Sequence, residues 1–349
     1  MTKKTSETPV RPKVQECIVC GFGEDGSVVD EVAYSRSKVC PKKPTQAEVD
    51  EHEKTHLPFR NWCEICISGR SKDDKHEERE IAENLKEVHL DYCFLRNGRG
   101  QEYAPVLASK DRRSKLLCAH VVPNKGASAE WVISQSMRDI VKMGHSSSVV
   151  LRSDGEPALV DLLGQVALQR QGVTVIEHAV KDSKSNGFIE RGIQSLEEMV
   201  RVYKLDIEKR IGMQVKVSSN VFAWMVEYAA DMINKKIIGE DGKTAYERLK
   251  LKKHHGEFVK FGAKVMYRVQ GKVEGGVVTE RWFEGIWLGK RFHTEEHIVA
   301  NLLSGKVVRT RAIRQLPKVV TAAELDNIVG RPWAPNGILM IRNTSPEQF

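Results

Sequence analysis

Long apolar runs are missing from this sequence. No stretch approaches the roughly 18 consecutive apolar residues that a membrane-spanning helix needs. The N-terminus, Met-Thr-Lys-Lys-Thr-Ser-Glu, lacks the apolar core of a secretory signal peptide, and no internal repeat or low-complexity block is evident. We therefore expect an intracellular protein that does not bind membranes, with the 40% hydrophobic and 29% charged residues of an ordinary soluble chain.

Cysteine is also scarce, with seven residues in a chain of 349. Two Cys-x-x-Cys pairs are present, Cys17/Cys20 and Cys63/Cys66. In a reducing compartment such pairs favour metal binding over disulfide bonds. Together with Cys40 the first pair could form a metal site, but no clear fourth ligand accompanies these three cysteines, and their role stays open.

The charge is positive and unevenly distributed. The chain has 55 basic and 47 acidic residues, a net charge of +8. Residues 251–349 contain 16 Lys/Arg against 9 Asp/Glu, so most of the excess lies there. A basic segment of this kind favours a polyanion such as nucleic acid, and a solvated basic face without a specific partner is an equally good interpretation.

A chain of 349 residues can hold one large domain or two to three smaller ones, and this sequence changes character several times along its length. Residues 86–177 alternate strand and helix patterns, and a helical stripe follows from Ile189 to Tyr203. After Gly256, short β-rich segments separated by glycine predict a small barrel or sandwich. We expect a flexible N-terminal segment, a compact His/Cys-rich element, an α/β core, a small β-barrel and a C-terminal tail at residues 1–45, 46–70, 80–250, 256–316 and 317–349, respectively.

Three carboxylates, called the carboxylate triad below, stand in unusual settings: Asp91, Asp154 and Glu190. Asp91 interrupts an apolar strand pattern, where a charge is expensive to bury, and 35 residues separate the other two. Such oxygen ligands suit Mg²⁺, and two Mg²⁺ ions can activate the attacking oxygen and stabilise the departing one in phosphodiester chemistry. Alternatively, Asp154 caps the following helix and Glu190 interacts with a helix dipole, although neither role explains Asp91.

A second constellation, called the His/Cys group below, is His52-x₃-His56-x₆-Cys63-x₂-Cys66. Histidines four residues apart lie on one helical face, and Cys-x-x-Cys forms a tight turn that offers two thiolates. Together these residues make up the four-ligand set of a structural Zn²⁺ site. The alternative is a pair of surface histidines beside two unrelated thiols.

A polar, glycine-ended loop, Lys181-Asp-Ser-Lys-Ser-Asn-Gly187, directly precedes the Glu190 helix pattern. Lys181 and Lys184, together with Arg191, could hold DNA phosphates beside the metal ions. A solvated loop without a ligand explains the same residues equally well.

These motifs resemble the integrase region of a long-terminal-repeat retrotransposon polyprotein of Copia-like type. The resemblance runs from about residue 45 to residue 316. It is carried by the segment Thr55-His-Leu-Pro-Phe-Arg-Asn-Trp-Cys-Glu-Ile-Cys66, the Asp91 strand, Ser153-Asp-Gly155, Asp182-Ser-Lys-Ser-Asn-Gly-Phe-Ile-Glu190, Gly242-Lys-Thr-Ala-Tyr-Glu-Arg-Leu249 and the β region from Gly262 to Arg314.

The resemblance implies a ribonuclease-H-like core, a five-stranded mixed sheet flanked by helices. It also implies Mg²⁺- or Mn²⁺-dependent processing of element DNA 3′ ends and their joining to target DNA. The carboxylate triad would then be catalytic, and the His/Cys group would hold structural Zn²⁺. Double-stranded DNA and other copies of the chain would be the partners, with the nucleus as the place of integration.

The sequence also departs from that pattern. The spacer between His56 and Cys63 is much shorter than in retroviral integrases, and no protease or reverse-transcriptase motif is evident. Two alternatives therefore stay open. One is a nuclease or transposase of the same fold that cuts without joining ends, and the other is a decayed or repurposed DNA-binding adaptor without catalysis.

Overall fold

A five-stranded mixed sheet lies at the centre of the part of the chain that the computed structural model describes. That part comprises residues 43–70, 86–97, 102–127, 129–172, 174–178, 183–269 and 279–337. The predictions for Cys17, Cys20, Cys40 and Lys181 lie outside the described residues, and so does the side chain of Lys184.

The central sheet has the strand order β3-β2-β1-β4-β5. β1, β2 and β3 are antiparallel neighbours, whereas β4 and β5 run parallel to β1. This order and this mixture of directions are those of the ribonuclease-H-like fold, so the predicted fold class is confirmed. The strands are Glu87–Arg96, Tyr103–Asp111, Leu117–Val121, Val149–Ser153 and Thr174–His178.

Helices cover both faces of this sheet. α1 to α8 span Gln46–Glu53, Glu64–Arg70, Glu130–Lys142, Pro157–Gln169, Ser183–Ile211, Asn220–Lys236, Ala245–Lys250 and Ala322–Asp326. α3 and α4 share one apolar cluster with Val88, Leu90 and Tyr92 of β1. α5 and α6 share a second apolar cluster with Cys93 and Leu95 of β1. Because side chains alternate along a strand, Asp91 belongs to the face that α5 and α6 cover.

The long helix α5 has the apolar stripe that its periodicity predicts. Ile189, Ile193, Leu196, Val200 and Tyr203 are all buried. The helix begins at Ser183, a few residues before the predicted start near Asn186, and ends at Ile211. α5 therefore packs on the rest of the protein through one apolar face, as helical spacing of apolar residues predicts.

The C-terminal strands form a second, antiparallel five-stranded sheet with the order β10-β6-β7-β8-β9. They span Lys264–Arg268, Trp282–Lys290, His297–Asn301, Val307–Thr310 and Ile313–Gln315. Trp287 of β7 packs on Tyr228 of α6, with ring centroids 5.5 Å apart. This sheet thus shares a hydrophobic core with α5 and α6. None of the described helices is long and apolar enough to cross a bilayer.

Candidate functional site

Asp91 and Asp154 are placed by a parallel strand pair. The β1–β4 register pairs Glu87 with Val150 and His89 with Arg152. Extending this register by two residues sets Asp91 beside Asp154, which directly follows β4. Register neighbours on adjacent strands lie about 4.8 Å apart and point to the same face. The sheet therefore brings two residues that are far apart in sequence to one edge of one face.

Glu190 reaches the same face because α5 crosses β1. The His89 ring packs on the Phe188 ring at 4.9 Å between centroids. Ile189, one residue before Glu190, is fully buried in the cluster that contains Cys93. His89 and Cys93 flank Asp91 on its own face of β1. Glu190 itself is exposed at the surface of the helix.

The charges of Asp154 and Glu190 both act on Asp91. Burial raises the pKa of Asp91, and repulsion from Asp154 and Glu190 raises it further, to about 6. The Tyr92 amide donates a hydrogen bond of 2.7 Å to the Asp91 carboxylate and opposes this effect. Like charges raise a carboxyl pKa only when they lie near one another. The pKa of Asp91 is therefore raised chiefly by burial, and the carboxylates that would share a cation with it add to the effect.

The cluster is looser than the His/Cys group. Among the described residues, the His/Cys group is the one set of three or more potential ligands whose ligand atoms converge tightly. Asp154 also has a local role, because its carboxylate accepts a 3.0 Å hydrogen bond from the Glu156 amide in the turn before α4. Gly155, between them, has a φ of +80° that favours glycine. The alternative that Asp154 caps α4 is wrong, because the N-cap residue of α4 is Glu156. The turn hydrogen bond leaves other lone pairs of Asp154 available to a metal ion.

Glu156 and Lys125 are site residues that the sequence analysis missed. Glu156 is a fourth carboxylate whose charge raises the pKa of Asp91. It pairs with Lys125, whose ammonium also lies 4.5 Å from the centroid of the Phe94 ring. Lys125 belongs to the loop after β3, 31 residues before Glu156. No local pattern in the sequence connects these two residues.

A cationic cluster surrounds Phe188, two residues before Glu190 in α5. Lys110, Arg112 and Lys115 surround the ring of Phe188 at 4.4, 4.9 and 5.3 Å from its centroid. Burial lowers the pKa of Lys110, and Lys115 and Arg112 lower it further, to about 8. α5 brings Phe188 against these cations, and Lys110 donates a hydrogen bond of 3.2 Å to the Phe188 carbonyl.

The predicted phosphate contacts are placed only in part. Arg191 is exposed on α5, directly after Glu190. The backbone of Lys184 lies in the first turn of the same helix. The role of Lys181, Lys184 and Arg191 toward DNA stays a prediction.

The His/Cys group converges as its spacing predicts. All four residues are buried, and their ligand atoms lie within 4.8 Å of one another. His52 Nε2 is 3.3 Å from Cys66 Sγ, and His56 Nδ1 is 3.6 Å from Cys63 Sγ and 3.9 Å from Cys66 Sγ. The edges of a tetrahedron around Zn²⁺, with bonds of about 2.0–2.3 Å, are about 3.3–3.8 Å long. The donor set and its spacing fit Zn²⁺.

Local structure positions each of these ligands. Thr45 and Glu48 form a capping box that begins α1, and His52 occupies the last turn of that helix. Cys63 directly precedes α2, and Cys66 lies in the first turn of that helix. The Cys66 amide donates a hydrogen bond of 3.5 Å to Cys63 Sγ. Hydrogen bonding from Cys66 lowers the pKa of the Cys63 thiol, and hydrogen bonds with His52 and His56 lower it further. The site therefore favours a thiolate, which is the form that binds metal.

Residues of α5 form the outer shell of the His/Cys group. Asp206 Oδ1 lies 3.8 Å from His56 Nε2, the ring nitrogen that faces away from the thiols. The Tyr203 hydroxyl donates a hydrogen bond to the carbonyl of Thr55. A carboxylate behind a ligating histidine orients its ring and increases its basicity. The element at residues 46–70 is thus attached to the same helix that carries Glu190.

Among known proteins, matches to this chain are found in solved structures and not in family profiles or curated sequences. No protein-family profile matches the sequence, and no curated protein matches it. The chain is similar to the simian T-cell lymphotropic virus intasome in complex with a PP2A regulatory subunit, with 14% identity over 73% of this chain and 88% of that one and a TM-score of 0.38. It is also similar to the catalytic core domain of BIV integrase, with 17% identity and a TM-score of 0.34. The match covers 48% of this chain and 95% of that one.

A third similar structure is the HTLV-2 integrase catalytic core domain in complex with magnesium, with 13% identity and a TM-score of 0.36. The match covers 49% of this chain and 99% of that one. At such identities and scores these likenesses add nothing to the site. The fold assignment rests on the strand order and directions of the central sheet. The described core is a ribonuclease-H-like fold, accompanied by a buried His/Cys group and an antiparallel C-terminal sheet.

Proposed function

We propose that this chain is a retrotransposon integrase, a metal-dependent polynucleotidyl transferase that processes the 3′ ends of element DNA and joins them to target DNA. The single observation that supports this most strongly is the parallel β1–β4 register, because its extension by two residues brings Asp91 beside Asp154. The charges of Asp154 and Glu190 also contribute to the raised pKa of Asp91. In this proposal, three acidic side chains from a strand centre, a strand end and a helix share one region. Such a cluster is unfavourable unless cations bind there.

Mg²⁺ or Mn²⁺ ions bound by the triad would activate the attacking oxygen and stabilise the departing one. Asp91, Asp154 and Glu190 supply the oxygen ligands. The Tyr92 amide keeps one Asp91 oxygen oriented through its 2.7 Å hydrogen bond.

The cations beside the triad hold the DNA. Lys110, Arg112 and Lys115 present positive charge around Phe188. In this proposal they position phosphates of double-stranded DNA together with Lys181, Lys184 and Arg191. Zn²⁺ in the His/Cys group has a structural role. Because two DNA ends are joined to one target, other copies of the chain are proposed partners.

The test is an assay of the full chain with labelled oligonucleotide duplexes. We expect cleavage near a 3′ end and transfer of that end to a second duplex, both requiring Mg²⁺ or Mn²⁺. Asp154→Asn removes one ligand charge at nearly constant shape and should abolish both reactions. Asp326→Asn, on exposed α8, is the matched control and should retain them.

The outcomes separate the alternatives. Metal-dependent cleavage without transfer would identify a nuclease or transposase of this fold. DNA binding without either reaction, unchanged in Asp91→Asn and Glu190→Gln, would identify a DNA-binding adaptor. Cleavage that survives Asp154→Asn would exclude the triad as the catalytic group.

A further inference from the structure

A cavity of about 660 Å³ opens between the central sheet and the C-terminal sheet. β3, α3 and α6 line one side of it, and β7, β8 and β9 line the other. β3 is an edge strand, two positions away from β1, which carries Asp91. No residue of the carboxylate triad or of the His/Cys group lines this cavity. It is therefore a separate site.

Three arginines from different elements line the cavity, which we call the arginine cleft: Arg138 of α3, Arg291 after β7 and Arg309 of β9. Among the described residues, no carboxylate forms an ion pair with any of these guanidinium groups. Burial lowers the pKa of Arg291, and the charges of Arg309 and Arg138 lower it further, whereas Glu227 and Glu296 oppose this effect. Arg138 and Arg309 thus lie close enough to Arg291 to repel its charge.

The carboxylates of the cleft are already paired. Asp139 and Glu227 lie 2.9 and 2.7 Å from the two ring nitrogens of His120. Although burial opposes it, these two carboxylates raise the pKa of His120 to about 10, so the imidazole is cationic. Asp231 is paired with Lys235 at 2.9 Å. The charge that remains available to a ligand is therefore positive.

An apolar and aromatic wall faces these cations. It includes Trp131, Leu288, Phe292 and Ile298. The half-buried Trp131 ring is held against His120 and Trp333, with centroids 5.9 and 5.8 Å apart. A fixed aromatic ring provides a stacking surface for a base. Arginine forks match phosphate oxygens, and ligand pockets commonly measure about 300–1,000 Å³.

We propose that the arginine cleft binds a nucleotide, with its phosphates at Arg291, Arg309 and Arg138 and its base against Trp131. The nucleotide is either a free molecule or one unit of a nucleic-acid strand, since the chemistry of recognition is the same. This site does not depend on the carboxylate triad or on its metal ions.

The test is titration calorimetry of the full chain in a chelating buffer, with ATP as one probe and a single-stranded oligo-dT as the other. Arg291→Ala combined with Arg309→Ala should weaken binding about ten-fold or more, because charge-assisted hydrogen bonds are lost. Arg268→Ala combined with Lys306→Ala removes the same charge from exposed positions outside the cleft. That control should change the affinity by less than about two-fold.

The two probes distinguish the sources of the nucleotide. If ATP binds the wild-type protein and binds the cleft variant more weakly, the ligand is a free nucleotide. If only oligo-dT shows this loss of affinity, the ligand is a nucleic-acid strand. Trp131→Leu should weaken binding of the nucleotide probe but leave binding of inorganic tripolyphosphate unchanged. The proposal is overturned if neither probe binds, if the cleft and control variants lose equal affinity, or if Trp131→Leu affects tripolyphosphate as much as nucleotide. Unchanged thermal unfolding of the variants ensures that folding does not cause the losses.

Discussion

At the scale of single residues, Asp91 shows how a functional position works against the stability of the fold. Strands β2 and β4 enclose it on both sides, and its face of β1 is covered by α5. Burial and two neighbouring carboxylates disfavour its ionised form. Such a residue weakens the metal-free protein at neutral pH, which is the usual signature of a site kept for its chemistry.

Asp91→Asn should therefore stabilise the metal-free protein. The pKa of Asp91 rises from 3.8 to about 6 on folding, so ionisation destabilises the fold as the pH increases through this window. Asparagine keeps the acceptor for the Tyr92 amide and removes the charge. We expect a gain of about 1 kcal/mol in the free energy of unfolding above pH 6, since solvent screens part of the effect, and almost none below pH 4. Urea unfolding with EDTA at both pH values measures it, and equal stability of the two proteins at pH 7 would show that ionised Asp91 does not destabilise the fold.

At the scale of secondary-structure elements, α5 connects the two candidate metal sites. Glu190 lies near its beginning, and Asp206 and Tyr203 lie against the His/Cys group near its end. Arg201 donates a 2.8 Å hydrogen bond to the carbonyl of Gly69 in α2. The helix thus acts as a rigid spacer, about 1.5 Å per residue, between the N-terminal element and the carboxylate triad.

Removing a zinc ligand should release the N-terminal element without melting the core. Cys66→Ser should abolish bound Zn²⁺, and hydrogen exchange should then increase at residues 46–70 while the central sheet stays protected, because the metal would link α1 to α2. Cys118→Ala, at a buried cysteine outside the group, should keep one Zn²⁺ per chain. Wild-type protein that releases no zinc on denaturation would refute the assignment.

Two glycine substitutions test how tightly α2 packs on α5. A Cβ at Gly69 would lie 2.4 Å from Val202 Cγ2, whereas a Cβ at Gly164 of α4 would meet no atom within 4 Å. Gly69→Ala should lower the free energy of unfolding by about 1–3 kcal/mol through overpacking. Gly164→Ala should raise it by up to about 1 kcal/mol through helix propensity. Denaturant unfolding compares them, and equal effects would mean that the two helices are not in close contact.

At the scale of the whole molecule, one hydrophobic core joins the central sheet to the C-terminal sheet. Tyr228 of α6 lies between Phe261 and Trp287, with ring centroids 5.2 and 5.5 Å away. Residues after β10 also contact α6. The Trp224 indole of this helix donates a 2.9 Å hydrogen bond to the carbonyl of Gly330. The arginine cleft lies between these joined parts, so its shape depends on their packing.

Trp287→Ala should destabilise both sheets together. Trp287 is 1% exposed, and truncating a buried tryptophan costs about 3–5 kcal/mol. Because the core is shared, calorimetry should show a single transition at a lower temperature. Trp282→Ala, at a half-buried position on the same strand, should cost less. Two separate transitions, with the later one unmoved, would mean that the sheets unfold independently.

Much of the architecture could be predicted from the sequence. Alternation along β1, the stripe of α5 and the His/Cys spacing are local periodic signals, and each predicted its element or group correctly. The roles of Lys110 and Glu156 were not predicted. Lys110 contacts α5 where this helix crosses the sheet, and Glu156 acts on Asp91 from the turn between β4 and α4. No short-range pattern encodes such a crossing.

What the sequence by itself determined is therefore local: which residues alternate, which stripe is buried, and which donor atoms are available for Zn²⁺ or Mg²⁺. Side-chain periodicity and ligand chemistry act over a few residues, so they can be read along the chain. Only the tertiary structure decided that Asp91 and Asp154 share a parallel register and a face, and that Arg138, Arg291 and Arg309 meet in one cleft. Such contacts depend on how distant elements pack, and packing is a property of the whole folded core.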